Sequence, residues 1–256
     1  MKLTRATKNR IAGMLIVNAD DLGRNELETR TILSCHQNGR ITSASAMMFM
    51  KDSVRAAELA LSAGLDVGLH LNFTEPFEPN YSSMRLNEHH QRVMNFLSRG
   101  RYTALLYNPM LKNDFEYIYK SQYEEYIHLY GKNPTHIDGH HHKHLCMNML
   151  VSSVIPKGLK VRRNFSFLPG EKHFFNRLYR QAVDTWLTRR YICVDFFFSI
   201  IPIHSPGRLQ RIMALTTSAQ VELMVHPANP EEYDYLMSDA YLQLISGVRS
   251  GSYAGL

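Results

Sequence analysis

Between Thr135 and His144 the chain reads THIDGHHHKH, which sets five of its thirteen histidines around a single aspartate. His136, Asp138, His140, His142 and His144 share one parity, so an extended strand would turn them to one side. If a helix begins near His140, then His140 and His144 lie one turn apart on one face. Either geometry offers a metal ion two imidazoles, or one imidazole with partners around it. The plainer alternative is a polar, His-rich loop that holds no ion. Asp20–Asp21 would supply a hard ligand, with the neighbouring carboxylate left free as a general base. Capping of a helix that starts near Glu26 is the competing use of this pair.

Three further residues extend the pattern. His70 sits in GLHLN, where strand alternation sets it on the opposite face from Leu69 and Leu71. The alternative is a buried, satisfied histidine. His226 stands in VHPANP, just before Pro227, and is open to the same two readings. Arg162 is either a surface charge or the partner that holds an aspartate ionised and oriented. One carboxylate with two imidazoles suits zinc or a similar divalent ion with a position left for water. Together these groups describe metal-assisted hydrolysis: an ion polarises a carbonyl, a carboxylate takes the proton of water, and a histidine protonates the leaving group.

Such residues need elements to carry them. Short apolar runs over 14–17, 41–49, 66–72, 135–138, 159–162, 194–200 and 221–225 read as strands. Helices are expected over 26–37, 52–62, 113–130, 145–154, 174–187, 209–215 and 240–247. The segment 76–101, with Pro76, Pro79, Asn80 and His89–His90, reads as a loop-rich insertion. Alternation of this kind implies a parallel sheet flanked by helices, either open or closed into a barrel. Asp20–Asp21, His70, Asp138–His140, Arg162 and His226 all fall at or just past the C-terminal ends of strands, where α/β barrels build their sites.

The chain has 256 residues, 45% hydrophobic and 20% charged, which suits one globular domain with a full core. Three widely spaced cysteines, Cys35, Cys146 and Cys193, have no metal-knuckle spacing and read as reduced thiols in a cytoplasmic protein. No apolar run reaches the length of a membrane span, and the basic start over 1–13 has no secretory pattern. The net charge of +6 is scattered, and no base-reading motif accompanies it, so nucleic acid is not an expected partner. The basic first ten residues leave weak contact with an anionic membrane surface open, and a homodimer is the default assembly. Aromatic clusters at 117–130 and 165–175 suit either a sugar ligand or core packing.

LIVNADDLG (Leu15–Gly23), ITSASAM (Ile41–Met47), VGLHLN (Val67–Asn72), THIDGHHHKH (Thr135–His144) and VHPAN (Val225–Asn229) occur in this order. This set resembles the YdjC-like carbohydrate deacetylases over roughly residues 14–229. The resemblance implies an α/β fold, a TIM-like and partly irregular (β/α) barrel, and metal-dependent removal of an N-acetyl group from a sugar. It implies Asp21, His70 and His140 as ligands of one divalent ion, magnesium or zinc, with manganese, cobalt or nickel as substitutes. Asp20 would then be the general base and His226 the general acid, with Arg162 beside the base. Asn72, His136, Asp138, His142 and His144 would surround the ligands or face the substrate.

The chain departs from the family pattern in the polar Arg162–Arg163–Asn164, in the His-, Asn- and Arg-rich 76–101 segment, and in a last helix expected to be short. A phosphoesterase or amidohydrolase on the same scaffold is the second reading. A sugar- or metal-binding protein without turnover is the third, and a free base beside the ligand argues against it.

Overall fold

A computed structural model describes residues 13–100, 102–168, 170–171 and 174–256. Apart from Gly13, the basic N-terminal extension lies outside the described residues. Strands β1 (Met14–Leu22), β2 (Ser43–Ala46), β3 (Val67–Leu71), β4 (Ile137–Gly139), β5 (Phe196–Ser199) and β6 (Gln220–Val225) form one sheet. All pairings are parallel, in the order β4-β3-β2-β1-β6-β5. Among the described residues the sheet curls into a half-barrel and does not close, so the expected TIM-like, partly irregular barrel is met in its α/β class but not in closure. The expected strand over 159–162 is reduced to single bridges, Val161 to Ile137 and Lys160 to Ile192.

Strand alternation sorts the side chains into two compartments. Leu15, Val17 and Ala19 of β1, Val67, Leu69 and Leu71 of β3, and Val221, Leu223 and Val225 of β6 belong to the large core. Met14 and Ile16 instead pack with Val194 and Tyr253 in a small separate cluster. Above that cluster the alternate residues Asn18, Asp20, Ser45, His70, Asp138 and Glu222 are polar and buried. The concave side of the sheet therefore has an apolar floor and a charged upper layer.

The helices are α1 (Glu26–Gln37), α2 (Ser53–Ser62), α3 (Met84–Leu97), α4 (Lys112–Tyr130), α5 (Met147–Val151), α6 (Phe174–Thr188), α7 (Arg208–Leu215), α8 (Pro230–Met237) and α9 (Asp239–Ile245). Asn25 caps α1 by accepting from the Glu28 N–H, so neither Asp20 nor Asp21 is used as its cap. The 76–101 segment is not mainly loop. Ser83 caps α3, which buries Leu86, His90, Val93 and Leu97 at helical spacing. Most of its other positions are polar, and this hid the periodicity. Helix α5 covers only part of the helix expected over 145–154. Helix α8 is an addition that the sequence reading did not contain.

Candidate metal centre

A bulge in β1 creates the centre. The register passes from Ala19 opposite Ala44 to Leu22 opposite Ala46, so β1 advances three residues while β2 advances two. Asp21 occupies the left-handed region at φ 71, which a non-glycine residue adopts at a cost. Regular alternation would send Asp20 and Asp21 to opposite faces. The bulge lets both carboxylates reach the concave side.

Asp21 Oδ1 lies 3.2 Å from His70 Nε2 and 2.8 Å from His140 Nδ1. All three residues are buried, and their candidate donor atoms lie within 4.8 Å of one another. Each imidazole has a carboxylate on its far nitrogen. His70 Nδ1 donates to Asp138 Oδ1 at 2.8 Å, and His140 Nε2 lies 3.1 Å from Glu75 Oε1. Such outer partners fix the orientation of metal-ligating histidines and raise their basicity.

Glu75 is itself held. The Arg24 guanidinium donates to both of its oxygens, at 2.9 and 2.5 Å. Asn72 Oδ1 accepts from the Thr74 and Glu75 N–H groups, and Asn72 Nδ2 donates to the Glu75 carbonyl.

The electrostatics favour a cation. Burial opposes charge on His70, but the Asp138 and Asp20 carboxylates outweigh it and push its pKa up to about 10. Burial also opposes ionisation of Asp21, yet hydrogen bonds from His140 and His70 hold it far below the usual carboxylate range. A field that charges a buried imidazole also suits a divalent ion, and one carboxylate with two imidazoles is a donor set for one. Asp20, His70 and Asp138 form a second cluster of compatible size. There Arg162 already takes the cation's place, with Nη2 2.6 Å from Asp20 Oδ1 and 2.8 Å from Asp138 Oδ2. The residues that fit a metal are thus Asp21, His70 and His140.

Arg162 is fully buried, so its reading as a surface charge is set aside. It grips Asp20 through Nη1 and Nη2 at 2.7 and 2.6 Å and donates from Nε to Glu222 Oε1 at 2.7 Å. Asn18 Nδ2 adds a third hydrogen bond to Asp20. Burial raises the Asp20 pKa, but the Arg162 charge and hydrogen bonds win and keep the carboxyl ionised.

His226 follows β6 with its side chain 37% exposed, and Glu232 of α8 lies 3.7 Å from its Nδ1. The other Glu232 oxygen accepts from the His226 N–H at 2.7 Å. Burial disfavours the imidazolium here too, but Glu232 and Asp20 raise the pKa above its ordinary value.

The remaining expected residues divide. Asn72, His136, Asp138 and His144 are at most 1% exposed, so an expectation that they touch substrate does not match their burial. His136 Nε2 and Asn18 Nδ2 meet Ser45 Oγ, which donates to Asp138 Oδ2. A Cβ on Gly68 would come within 2.4 Å of the His136 ring, so this ring fits only beside glycine. His144 Nε2 donates to the Arg162 carbonyl. His142 is half-buried, with its ring 4.5 Å from that of Phe165.

Parity fails after Gly139 because His141 and His142 both take positive φ, 51 and 55, within a kinked 3-10 turn over His140–Leu145. His141, which parity passed over, is exposed, 3.0 Å from Thr74 Oγ1, with its ring 3.9 Å from His140. Glu75, Glu222, Glu232 and Tyr253 also escaped the sequence reading. Only Glu222 left a signal, as a lone charge in the apolar strand QVELMV.

A family model described as YdjC-like protein matches residues 14–247. The chain belongs to the YdjC-like family. Among curated relatives of this YdjC-like chain, the chitooligosaccharide deacetylase of Proteus mirabilis is 30% identical over 138 residues, 53% of this chain and 51% of that protein. The chitooligosaccharide deacetylase of Escherichia fergusonii is 32% identical over 170 residues, 62% of this chain and 64% of that protein. The chain thus spans between half and two thirds of the length of these relatives. A crystal structure from Enterococcus faecalis V583, described as that of a cellobiose-phosphate cleavage protein, superimposes with a TM-score of 0.64 at 18% identity. It covers 96% of this chain and 99% of that one. That likeness shows that the YdjC-like chain shares its fold.

Proposed function

We propose that the protein is a metal-dependent hydrolase that removes the N-acetyl group of an amino sugar within an oligosaccharide or lipid-linked glycan. One observation carries this reading. A two-imidazole, one-carboxylate donor set lies beside a second carboxylate, Asp20, which Arg162 keeps ionised. The names of the relatives supply the substrate class.

Asp21, His70 and His140 would hold the ion, magnesium or zinc, which would polarise the amide carbonyl and acidify water. Asp20 takes a proton from the attacking water as its oxygen bonds to the carbonyl carbon. His226, whose charged form Glu232 and Asp20 favour against burial, gives a proton to the departing nitrogen. The C–N bond breaks, and acetate and a free amine leave. Asp138 and Glu75 orient the two ligand imidazoles, so their part is positional. Phe165, against His142, lines an open cavity of about 560 Å³ with Phe167 and Arg180, where a sugar ring has aromatic faces to stack on.

Acetate release from N-acetylated oligosaccharides, measured on chelated protein and on protein refilled with single divalent ions, tests the proposal. Metal-dependent acetate is the expected result. Metal binding at one ion per chain without acetate from any substrate would remove the deacetylase reading.

A further inference from the structure

The family match ends at residue 247, yet the following segment reaches the centre of the charged layer. Tyr253 is fully buried. Its hydroxyl donates to Glu222 Oε2, and the other Glu222 oxygen accepts from Arg162 Nε at 2.7 Å. From Arg162 the chain of contacts runs to both oxygens of Asp20. Four side chains thus connect the floor of the half-barrel to the carboxylate proposed as the base.

The segment is fixed at several points. Lys160 Nζ donates to the Tyr253 carbonyl at 2.6 Å, and the Ala254 N–H donates to Asp66 Oδ2 at 2.8 Å. The Tyr253 ring stacks on His136 with centroids 3.7 Å apart and planes 13° apart. Apolar contacts with Met14, Ile16 and Val194 surround it. Packing alone would be served by phenylalanine. The hydroxyl is needed for something else, and its partner is a carboxylate with no exposure to water.

A planar guanidinium is fixed in orientation when two of its edges are bonded. Asp20 takes one edge of Arg162 and Glu222 the other. Glu222 can hold its edge only while its own second oxygen is satisfied, because a half-satisfied buried carboxylate is costly and relaxes by rotating or taking up a proton. Burial already pushes Glu222 up to about 7, against Arg162 and the Tyr253 hydrogen bond.

We propose that Tyr253 and Glu222 are positioning residues for the general base: through Arg162 they hold the Asp20 carboxylate in its working orientation, so the segment 248–256 is part of the site. Only the kinetic arm of its test rests on the deacetylase reading. The metal donors lie one side chain away from this network, through Asp138, which Arg162 Nη2 and His70 Nδ1 share, so metal affinity is expected to respond less than base orientation.

The test compares Tyr253→Phe, which keeps the ring on His136, with Glu222→Gln, which keeps both hydrogen-bonding partners, and Glu222→Leu, which keeps neither. kcat and KM are measured for acetate release from an N-acetylglucosamine oligosaccharide. Metal affinity is measured by calorimetry, and the Arg162 Nε–H by ¹⁵N NMR. Tyr253→Phe is expected to lower kcat about tenfold, a fraction of the roughly hundredfold that follows a 1 Å misplacement, with KM and metal affinity unchanged. Glu222→Leu loses more than Tyr253→Phe, and Glu222→Gln recovers most of the loss. The Arg162 Nε–H, buried and bonded to Glu222, is expected to exchange slowly in the parent protein and to shift and exchange faster in Tyr253→Phe.

A folded Tyr253→Phe with parental kcat and an unmoved Arg162 signal overturns the proposal. So does a kcat loss matched by an equal loss of metal affinity, which marks a general disturbance. If the parent protein releases no acetate, the deacetylase reading alone falls, and the Arg162 signal decides whether Tyr253 positions the guanidinium.

Discussion

At the mouth of the half-barrel, Asp21 Oδ1 faces two imidazole nitrogens, and the nearest guanidinium, that of Arg24, stands 3.6 Å from the other carboxylate oxygen. One layer deeper, Asp20, Asp138 and Glu222 converge on Arg162, each within 2.8 Å of Nη2. Both layers are buried assemblies of acids and bases. They differ in whether a protein cation already neutralises the carboxylates. The deep layer carries its own positive charge and is a finished network. At the mouth the Arg24 guanidinium is committed to Glu75, and Asp21 is partnered by two imidazoles that can serve as ligands, so the donor set suits an ion from solution. Arg162 therefore does more than hold Asp20. By filling the inner cluster it would confine an ion to the outer one and leave Asp20, the proposed base, free of metal.

The sharpest way to break this contrast is to empty the deep layer. Arg162→Met leaves three buried carboxylates without their shared partner, and loss of one side of a buried ion pair costs about 3–5 kcal/mol. Urea unfolding should show a loss of that size. A loss below about 1 kcal/mol would mean that the carboxylates find other partners. Asp20→Asn keeps the shape and removes the charge. Its kcat should fall about a thousandfold, within the range for a lost general base, while calorimetry still finds the metal bound. If turnover persists at the parental rate, the base lies elsewhere. If metal is lost as well, the separation of the layers is wrong.

The division between layers was only partly legible in the sequence. Strand ends announced themselves because apolar runs stop at Asp20, His70, Asp138 and His226, and strand geometry does the rest. Arg162 also fell at an expected strand end, but with a weaker sign. Its strand shrinks to isolated bridges, and an arginine followed by Arg163 looks like surface. Its burial depends on three carboxylates from β1, β4 and β6, a long-range coincidence no local pattern encodes. The failure of parity in the histidine cluster has a local cause of another kind. His141 and His142, just after His140, take the left-handed region, so His140, His141 and His142 fan out instead of alternating. Helix α3 was hidden by polarity, since only four of its positions are needed to cover the core.

Within the mouth, Glu75 tests whether the donors are aimed or merely adjacent. Glu75→Ala frees the far nitrogen of His140 and releases Arg24, while Asp21, His70 and His140 stay in the chain. Metal affinity should fall about 10–100-fold, the usual cost of losing an outer carboxylate, and the unfolding curve of the metal-free protein should move little. Glu75→Gln, which can still accept from the His140 N–H, should lie between the two. Equal affinity in all three proteins would show that His140 needs no carboxylate to hold its ring.

His226 stands between the layers, half-exposed, with its charge set by Glu232 and Asp20. Its pKa lies above 6.5 in the folded protein, so the protonated form persists to higher pH than in a free imidazole. As the proposed acid, His226 must be protonated to act, so activity is expected below that raised pKa and should be lost as pH rises through it. The alkaline limb of kcat/KM should therefore lie above pH 6.5. Glu232→Gln removes the nearer negative charge and leaves Asp20 in place. The limb should move to lower pH, because burial then opposes the imidazolium with only Asp20 and Asp21 set against it. This is the smallest of the expected effects, and it carries information the larger ones lack. A limb that does not move would assign the proton to another group, with His141 the next candidate by its place beside His140. A limb that falls below the free-imidazole value would mean that burial outweighs the field of Asp20, neutralised by Arg162, at the mouth.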